Sequence, residues 1–283
     1  ADLRDHLMTV HRHYPGFTES CALRCQDKQG RNSYEFLADI VDPSQHRRVL
    51  DLACGSGVLL EICNRRFGES VALHGLDMSI EELELARKRN SNPLIELHQG
   101  VAQNLGSFDD GIFDVVLCHW GLTLMDQVPQ VLREVSRVLK PDGIFAAIVD
   151  GDPATAPGYA KIHNVIYNSV QREHPNYGKA DLGDPRVRTS KDLKQLAFGS
   201  FKCAQVHIDS SVFDLYDMPD VLAREAAGFF YASFVLSTSA HNQMLRELEE
   251  FFAGRNKNEG SSFSLPVNRL VVRQRLTGEG QTL

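Results

Sequence analysis

The stretch Asp51-Leu-Ala-Cys-Gly-Ser-Gly57 holds the residue types and spacing best suited to ligand chemistry. Gly55 and Gly57 let the backbone turn tightly and come close to a bound molecule. A carboxylate, Asp51, opens the stretch, and a second, Asp77, follows Gly57 by twenty residues at the end of the next apolar run. An acid placed there can accept both ribose hydroxyls of an adenosine. A dinucleotide fingerprint needs a further small residue three positions beyond its second glycine, to pack the pyrophosphate turn. That position is Leu60, and Asp51 would oppose a pyrophosphate while suiting an ammonium group. The ligand implied is an adenosine with a charged amino-acid tail.

Such a loop must sit at a strand end, and the surrounding pattern supplies strands. Val49–Ala53 predicts a buried strand, Ser56–Phe67 a helix, and Val71–Leu76 a second strand. Ser79–Asn90 predicts a helix opened by the capping box Ser79-Ile-Glu-Glu82. Ile95–Gln99 and Phe113–Cys118 continue the strands. Next comes a helix with Val128, Val131, Leu132, Val135, Val138 and Leu139 on one stripe. Pro129 suits its first turn, Lys140-Pro-Asp-Gly143 ends it, and Ile144–Val149 is a fifth strand. This alternation implies right-handed βαβ crossovers and an α/β fold with a parallel sheet covered on both faces.

One domain is expected over residues 1–283: an N-terminal helical cap (1–47), a cofactor-binding core (48–154), a helical lid insertion after strand five (155–185) and a C-terminal part (186–283). The C-terminal part reads as a helix near 190–198, a strand near 202–213, helices near 219–236 and 241–253, and a last strand, Phe263–Leu276. Cap and insertion carry aromatics, among them Tyr14, Phe17, Tyr34, Phe36, Tyr159, Tyr167 and Tyr177, and are expected over the carboxyl edge of the sheet, where ligands sit in open α/β folds.

Composition narrows the function classes. Apolar content of 42% and charged content of 24% are ordinary for a globular protein, and 283 residues bury a core without disulfides or structural metal. The longest apolar runs, Ile144–Val149 and Phe229–Leu236, are too short to span a bilayer. A net charge of −7 with no dense Lys/Arg block argues against nucleic acid as partner. No secretory leader is recognised, and Cys21, Cys25, Cys54, Cys63, Cys118 and Cys203 follow no disulfide framework, so a reducing, cytoplasmic setting is expected. No metal site is expected either: Cys21 and Cys25 lack further ligands, and His6, His11 and His13 read as a solvated helix face. No residue pattern indicates an oligomeric state.

Residues 48–150 resemble the class I S-adenosylmethionine-dependent methyltransferases, specifically the small-molecule type 11 or UbiE-like branch. The resemblance rests on Asp51–Gly57, Leu76-Asp-Met78, Phe113-Asp-Val-Val-Leu-Cys118 and Val131-Leu-Arg-Glu-Val-Ser-Arg-Val-Leu-Lys-Pro-Asp-Gly143. The last matches the family's REVxRVLKPGG segment, with Asp142 for the first Gly. It implies a Rossmann-like, mostly parallel sheet whose last strand is antiparallel, with S-adenosylmethionine as cofactor. Ala53, Cys54, Gly55 and Gly57 would line its methionine and ribose part, Asp51 would lie near the ammonium, and Asp77 would bind the ribose hydroxyls. Met78 would pack on adenine, Ala102 and Gln103 would meet its edge, and Cys118 and His119 would approach the sulfonium. Where the family often has Asp, this chain has Val101, which shifts adenine recognition to Gln103 or backbone carbonyls.

Methyl transfer from a sulfonium is an in-line displacement in which the protein mainly aligns donor and acceptor. A base is needed only when the acceptor must lose a proton, and histidine titrates in the useful range. His119 is the leading catalytic candidate, ahead of Asp150 and His163; the later histidine of many relatives is replaced by Thr123-Leu124. Trp120, Tyr14, Tyr159 and His163 are the candidate acceptor-binding residues, with Tyr167, Phe229, Phe230 and Tyr231 as further aromatic neighbours. The expected activity is methyl transfer to an oxygen, nitrogen or carbon atom of a small-molecule acceptor, such as a natural-product or quinone-like intermediate. Two alternatives stay open: a non-catalytic adenosyl-ligand-binding protein on the same fold, and a nicotinamide oxidoreductase. Cys118-His-Trp-Gly121 lacks the turn of nucleic-acid methyltransferases.

Overall fold

Strand β1, Arg48–Leu52, is buried at every position after Arg48, the pattern of a central strand covered on both faces. The same holds for most of β4, Phe113–His119. The computed structural model describes residues 3–16, 19–178, 183–201, 203–255 and 261–275. Phe17 and Leu276 lie outside the described residues.

Helices α1 (Leu3–His13), α2 (Glu19–Arg24) and α3 (Ser33–Ala38) precede β1. Then follow α4 (Val58–Phe67), β2 (Ala72–Asp77), α5 (Ile80–Arg89), β3 (Glu96–Gln99), β4, α6 (Val128–Val138) and β5 (Leu139–Asp150). The chain continues through α7 (Tyr159–Glu173), α8 (Ser190–Ser200), β6 (Ala204–Asp217), α9 (Pro219–Phe229), α10 (Thr238–Arg255) and β7 (Ser261–Gln274). The strands form a seven-stranded sheet in the order β3-β2-β1-β4-β5-β7-β6. The pairs β1–β2, β2–β3, β1–β4 and β4–β5 are parallel, and one end of the sheet is antiparallel, as the Rossmann-like reading requires. Strand order reverses between β1 and β4, so the crevice at their carboxyl ends is the topological switch point where open α/β sheets bind ligands.

The residues cluster into two compact units. One holds residues 34–150 and 183–210 and the end of β7 from Asn268. Its core sets Leu50, Leu52, Phe113 and Val116 against the fully buried α6 stripe of Val128, Val131, Leu132, Val135 and Val138. Each such side chain contributes roughly 1.5–3 kcal/mol of hydrophobic stabilisation. The expected stop at Lys140–Gly143 appears instead as a bulge within β5: Phe113 pairs with Leu139, yet Val115 pairs with Ile144.

The other unit holds residues 3–33, 151–182 and 211–267. Here α7 buries Tyr159, Ile162, Ile166 and Val170 at helical spacing, and α10 buries Met244, Leu248 and Phe252. The helix expected over 219–236 stops at Phe229, and Tyr231–Val235 forms a 3-10 turn. Gly228 and the following aromatic run have low helix propensity, which accounts for the break. His6 and His11 do not form a solvated face: His6 Nε2 pairs with the Tyr177 hydroxyl at 3.3 Å, and His11 Nε2 with that of Tyr231 at 3.0 Å. Among the described residues no helix is long and apolar enough to cross a membrane.

Candidate active site

At the end of β1 the chain enters three left-handed conformations within five residues: Ala53 (φ 59°), Gly55 (φ 52°) and Gly57 (φ 83°). A Cβ on Gly57 would lie 2.7 Å from Asn90 Nδ2 and 2.9 Å from Ala86 Cβ, so only glycine lets α5 pack this closely. A Cβ on Gly55 would meet nothing nearer than Glu82 Oε2 at 3.9 Å, which leaves room beside the loop. Ala53 carries its side chain in the same strained region, a device that concentrates at ligand-binding sites.

Two carboxylates flank this loop, and they differ sharply. Asp77 is satisfied: Oδ2 accepts the Gly55 N–H at 2.9 Å, and Oδ1 accepts that of Ser79 at 2.9 Å. It therefore braces the β1 loop against the start of α5. The capping box closes on one side only, since Ser79 Oγ accepts the Glu82 N–H at 3.3 Å but the Ser79 N–H already belongs to Asp77. Asp51 is 2% exposed, and neither of its oxygens has a hydrogen-bond partner among the described residues. Burial, and secondarily the Asp77 charge, pushes its carboxyl well above the ordinary range. A buried polar group without a partner is rare enough to require an explanation.

The remaining loop residues split between backbone and side-chain roles. Cys54 is buried beneath the loop, its N–H bonded to Leu76 O at 2.9 Å, and burial pushes its thiol well up. Met78 is half-buried at the end of β2, and Ala102 is buried after β3. Gln103 donates its amide to Asp126 O at 2.9 Å and Asp126 Oδ1 at 2.8 Å.

At the end of β4 the groups satisfy one another. The His119 imidazole stacks on Tyr34 with centroids 3.7 Å apart and planes 15° from parallel. Burial pulls its pKa down to about 3, so the ring is neutral. Trp120 is left-handed (φ 51°), a strained conformation for a bulky residue, held by its N–H to Ile148 O at 2.9 Å and its indole N–H to Asp150 Oδ1 at 2.8 Å. Burial raises the Asp150 carboxyl, against the opposing effects of the Trp120 bond and Arg188. Cys118, the other residue expected near the sulfonium, packs inward at the end of β4. It is 0% exposed in the apolar core, its thiol pushed up to about 12 by burial. A Cβ on Gly121 would lie 2.8 Å from Cys118 Sγ and 3.1 Å from Ala53 Cβ, so the turns after β4 and β1 lie side by side.

Residues 50–147 match the methyltransferase domain family. This segment is similar to a methyltransferase domain. Over 132 residues the chain is 36% identical to a 2-phytyl-1,4-naphtoquinone methyltransferase of Nostoc punctiforme, covering 45% of this chain and 56% of that protein. Over 134 residues it is 36% identical to a demethylmenaquinone methyltransferase of Lactobacillus johnsonii, covering 46% and 52%. The chain thus spans about half the length of these curated relatives. The crystal structure of the YcgJ protein of Bacillus subtilis shares the fold with a TM-score of 0.58 at 18% identity, over 88% of this chain and 99% of that one.

The sheet places Asp51, Ala53, Cys54, Gly55, Gly57, Asp77 and Met78 at the switch point, with Ala102 and Gln103 after β3 and His119 and Trp120 after β4. The orphaned Asp51 carboxylate fits the ammonium of the cofactor's amino-acid tail, and the open side of Gly55 fits close approach of its backbone. Tyr14, Tyr159 and His163 lie in the other unit. Tyr14 packs against Phe234 at 4.9 Å, Tyr159 against Phe230 at 5.8 Å, and His163 stacks on Tyr167 at 4.1 Å. Sequence reasoning missed the stacking role of Tyr34 and the Trp120–Asp150 bond. Neither has a local signal, because each pair joins separate elements.

Proposed function

We propose that this chain transfers a methyl group from S-adenosylmethionine to an oxygen, nitrogen or carbon atom of a small-molecule acceptor, with quinone-like rings as the acceptor class. The reading is carried by Asp51, a buried carboxylate without a partner at the switch point, beside a loop shaped for close backbone approach. The quinone-like class is supported by the two curated relatives, both named for naphthoquinone-type substrates. Buried free thiols at Cys21, Cys25, Cys54, Cys63 and Cys118 suit the cytoplasm, where we place the reaction.

When bound, the cofactor supplies an electrophilic methyl on a cationic sulfur. Asp51 neutralises the ammonium, and Asp77 retains lone pairs beyond its two backbone bonds with which to accept ribose hydroxyls. With its amide nitrogen fixed on Asp126, Gln103 presents Oε1 as the acceptor for an amino group on the adenine edge. His119, neutral and held by Tyr34, would accept the acceptor's hydrogen bond and, with its pKa pulled down to about 3, would serve only as a weak base where a proton must leave.

Calorimetric titration with S-adenosylmethionine, S-adenosylhomocysteine and NAD, on the chain and on Asp51→Asn, tests the reading. Both sulfur ligands should bind and NAD should not. The variant should bind about 10–100-fold more weakly, the worth of one charge-assisted hydrogen bond. Without ligand it should melt higher. The folded chain holds the Asp51 proton more tightly than the unfolded chain, so this group costs stability as pH rises above its ordinary value of 3.8. The gain in Tm should therefore be largest at neutral pH and vanish on acidification. Binding of NAD in preference, or equal affinity in the variant, would overturn the assignment.

A further inference from the structure

We propose that His74, Glu96 and His98 form a binding site for one divalent transition-metal ion of the zinc class, separate from the cofactor loop. In the parallel pairing of β2 with β3, His74 lies opposite Glu96 and Leu76 opposite His98. The two-residue period of a strand puts Glu96 and His98 on one face. His74 Nδ1, Glu96 Oε2 and His98 Nε2 all lie within 4.8 Å of one another.

The spacing suits a metal. With bonds of roughly 2.0–2.2 Å in tetrahedral geometry, two ligand atoms on a zinc ion stand about 3.3 Å apart. Glu96 Oε2 is 3.1 Å from His74 Nδ1 and 3.6 Å from His98 Nε2. Both ring nitrogens are buried, and neither has a hydrogen-bond partner among the described residues, so the close carboxylate does not satisfy them. Three donor atoms thus converge on a point that no protein hydrogen bond accounts for.

The surroundings allow an ion to be held and to enter. Phe108 meets both imidazoles edge-on, at 6.1 Å from His74 and 4.8 Å from His98, and Phe113 meets His74 at 5.3 Å. These rings form a dry wall on one side. On the other, β3 is the edge strand of the sheet, and the Glu96 side chain is 61% exposed, which provides an entry path. Two imidazoles and a carboxylate favour zinc, cobalt, nickel or iron over magnesium or calcium. An ion here would clip the edge strand to its neighbour.

The full chain, stripped with chelator, is titrated with zinc chloride by calorimetry and with cobalt chloride by absorption. One ion should bind per chain and raise Tm, and the cobalt spectrum should show d–d bands without a thiolate charge-transfer band. His98→Ala and Glu96→Gln lie on the edge strand and spare the buried His74. Each should weaken binding at least as much as the roughly 10–100-fold that loss of an outer-shell partner costs. No saturable binding, unchanged affinity in both variants, or a thiolate band placing the ion on a cysteine would each sink the proposal.

Discussion

The ends of β1 and β2 and the ends of β4 and β5 are built on opposite principles. At the first, Asp51 is buried with both oxygens unpartnered, while Asp77 braces the loop through the Gly55 and Ser79 N–H groups. At the second, polar groups answer one another: Trp120 donates to Asp150, and His119 rests neutral against Tyr34. Ionising a buried carboxylate without a partner lowers stability, and a cationic group beside it would offset that cost, as the proposed function requires of the first region. A satisfied cluster is rigid without any ligand, so the second is organised to position. One region awaits its partner, and the other is complete.

The comparison can be broken most sharply at Asp77. Asp77→Ala strips the acceptor from two backbone donors, each worth about 1–3 kcal/mol when buried unsatisfied. It also removes the proposed ribose acceptor. Affinity for S-adenosylhomocysteine should fall by more than about 100-fold, the product of two charge-assisted hydrogen bonds. Calorimetry alongside thermal melting separates the parts: a lower Tm with intact affinity would leave Asp77 as a brace alone.

A smaller effect is expected at His119. His119→Ala should slow single-turnover methyl transfer about tenfold or more, at the modest end of acid–base contributions, with cofactor affinity nearly unchanged. Because burial holds its pKa at about 3, the wild-type rate should show no inflection from this group between about pH 5 and 8. The unfolded chain binds this proton below its ordinary pKa of 6.5 and the folded chain does not until about 3, so stability is lost as pH is lowered across that window. The alanine variant should be less acid-sensitive there. An unchanged turnover rate would remove His119 from the mechanism and leave it as packing.

The smallest effect belongs to Trp120→Phe. It deletes one donor to a half-buried carboxylate and should cost about 1–3 kcal/mol of stability, with transfer slowed only a few-fold. Adding Asp150→Asn to that variant should recover part of the loss, since the unpaired charge is then gone. If the double variant melts no higher than the single one, the Trp120–Asp150 bond is not what completes the second region.

The two regions also differed in how far they could be read beforehand. Asp51, Gly55, Gly57 and Asp77 stand out because their spacing follows from one βαβ unit, in which loop and strand end are linked by a short stretch of chain. The α6 stripe was equally plain, since helical periodicity is a local property. At the β4 end only the order Cys118-His-Trp was visible. It could not show that Cys118 turns into the core while His119 faces Tyr34, an element far away in the chain. The break in the helix expected over 219–236 and the bulge at Lys140–Gly143 were misplaced for a related reason: helix ends and bulges depend on how neighbouring elements compete for the same residues.

By itself the amino-acid sequence determined the fold class, the strand-end loop and its two acids, because these rest on local periodicity and glycine spacing along a short stretch of chain. Tertiary structure alone decided that Asp51 would be left without a partner while Asp77 was given two, that His119 would be neutral, and that His74, Glu96 and His98 would converge where no metal ligands were expected. Those outcomes depend on burial and on distances between separate strands, which are set only when the chain has packed.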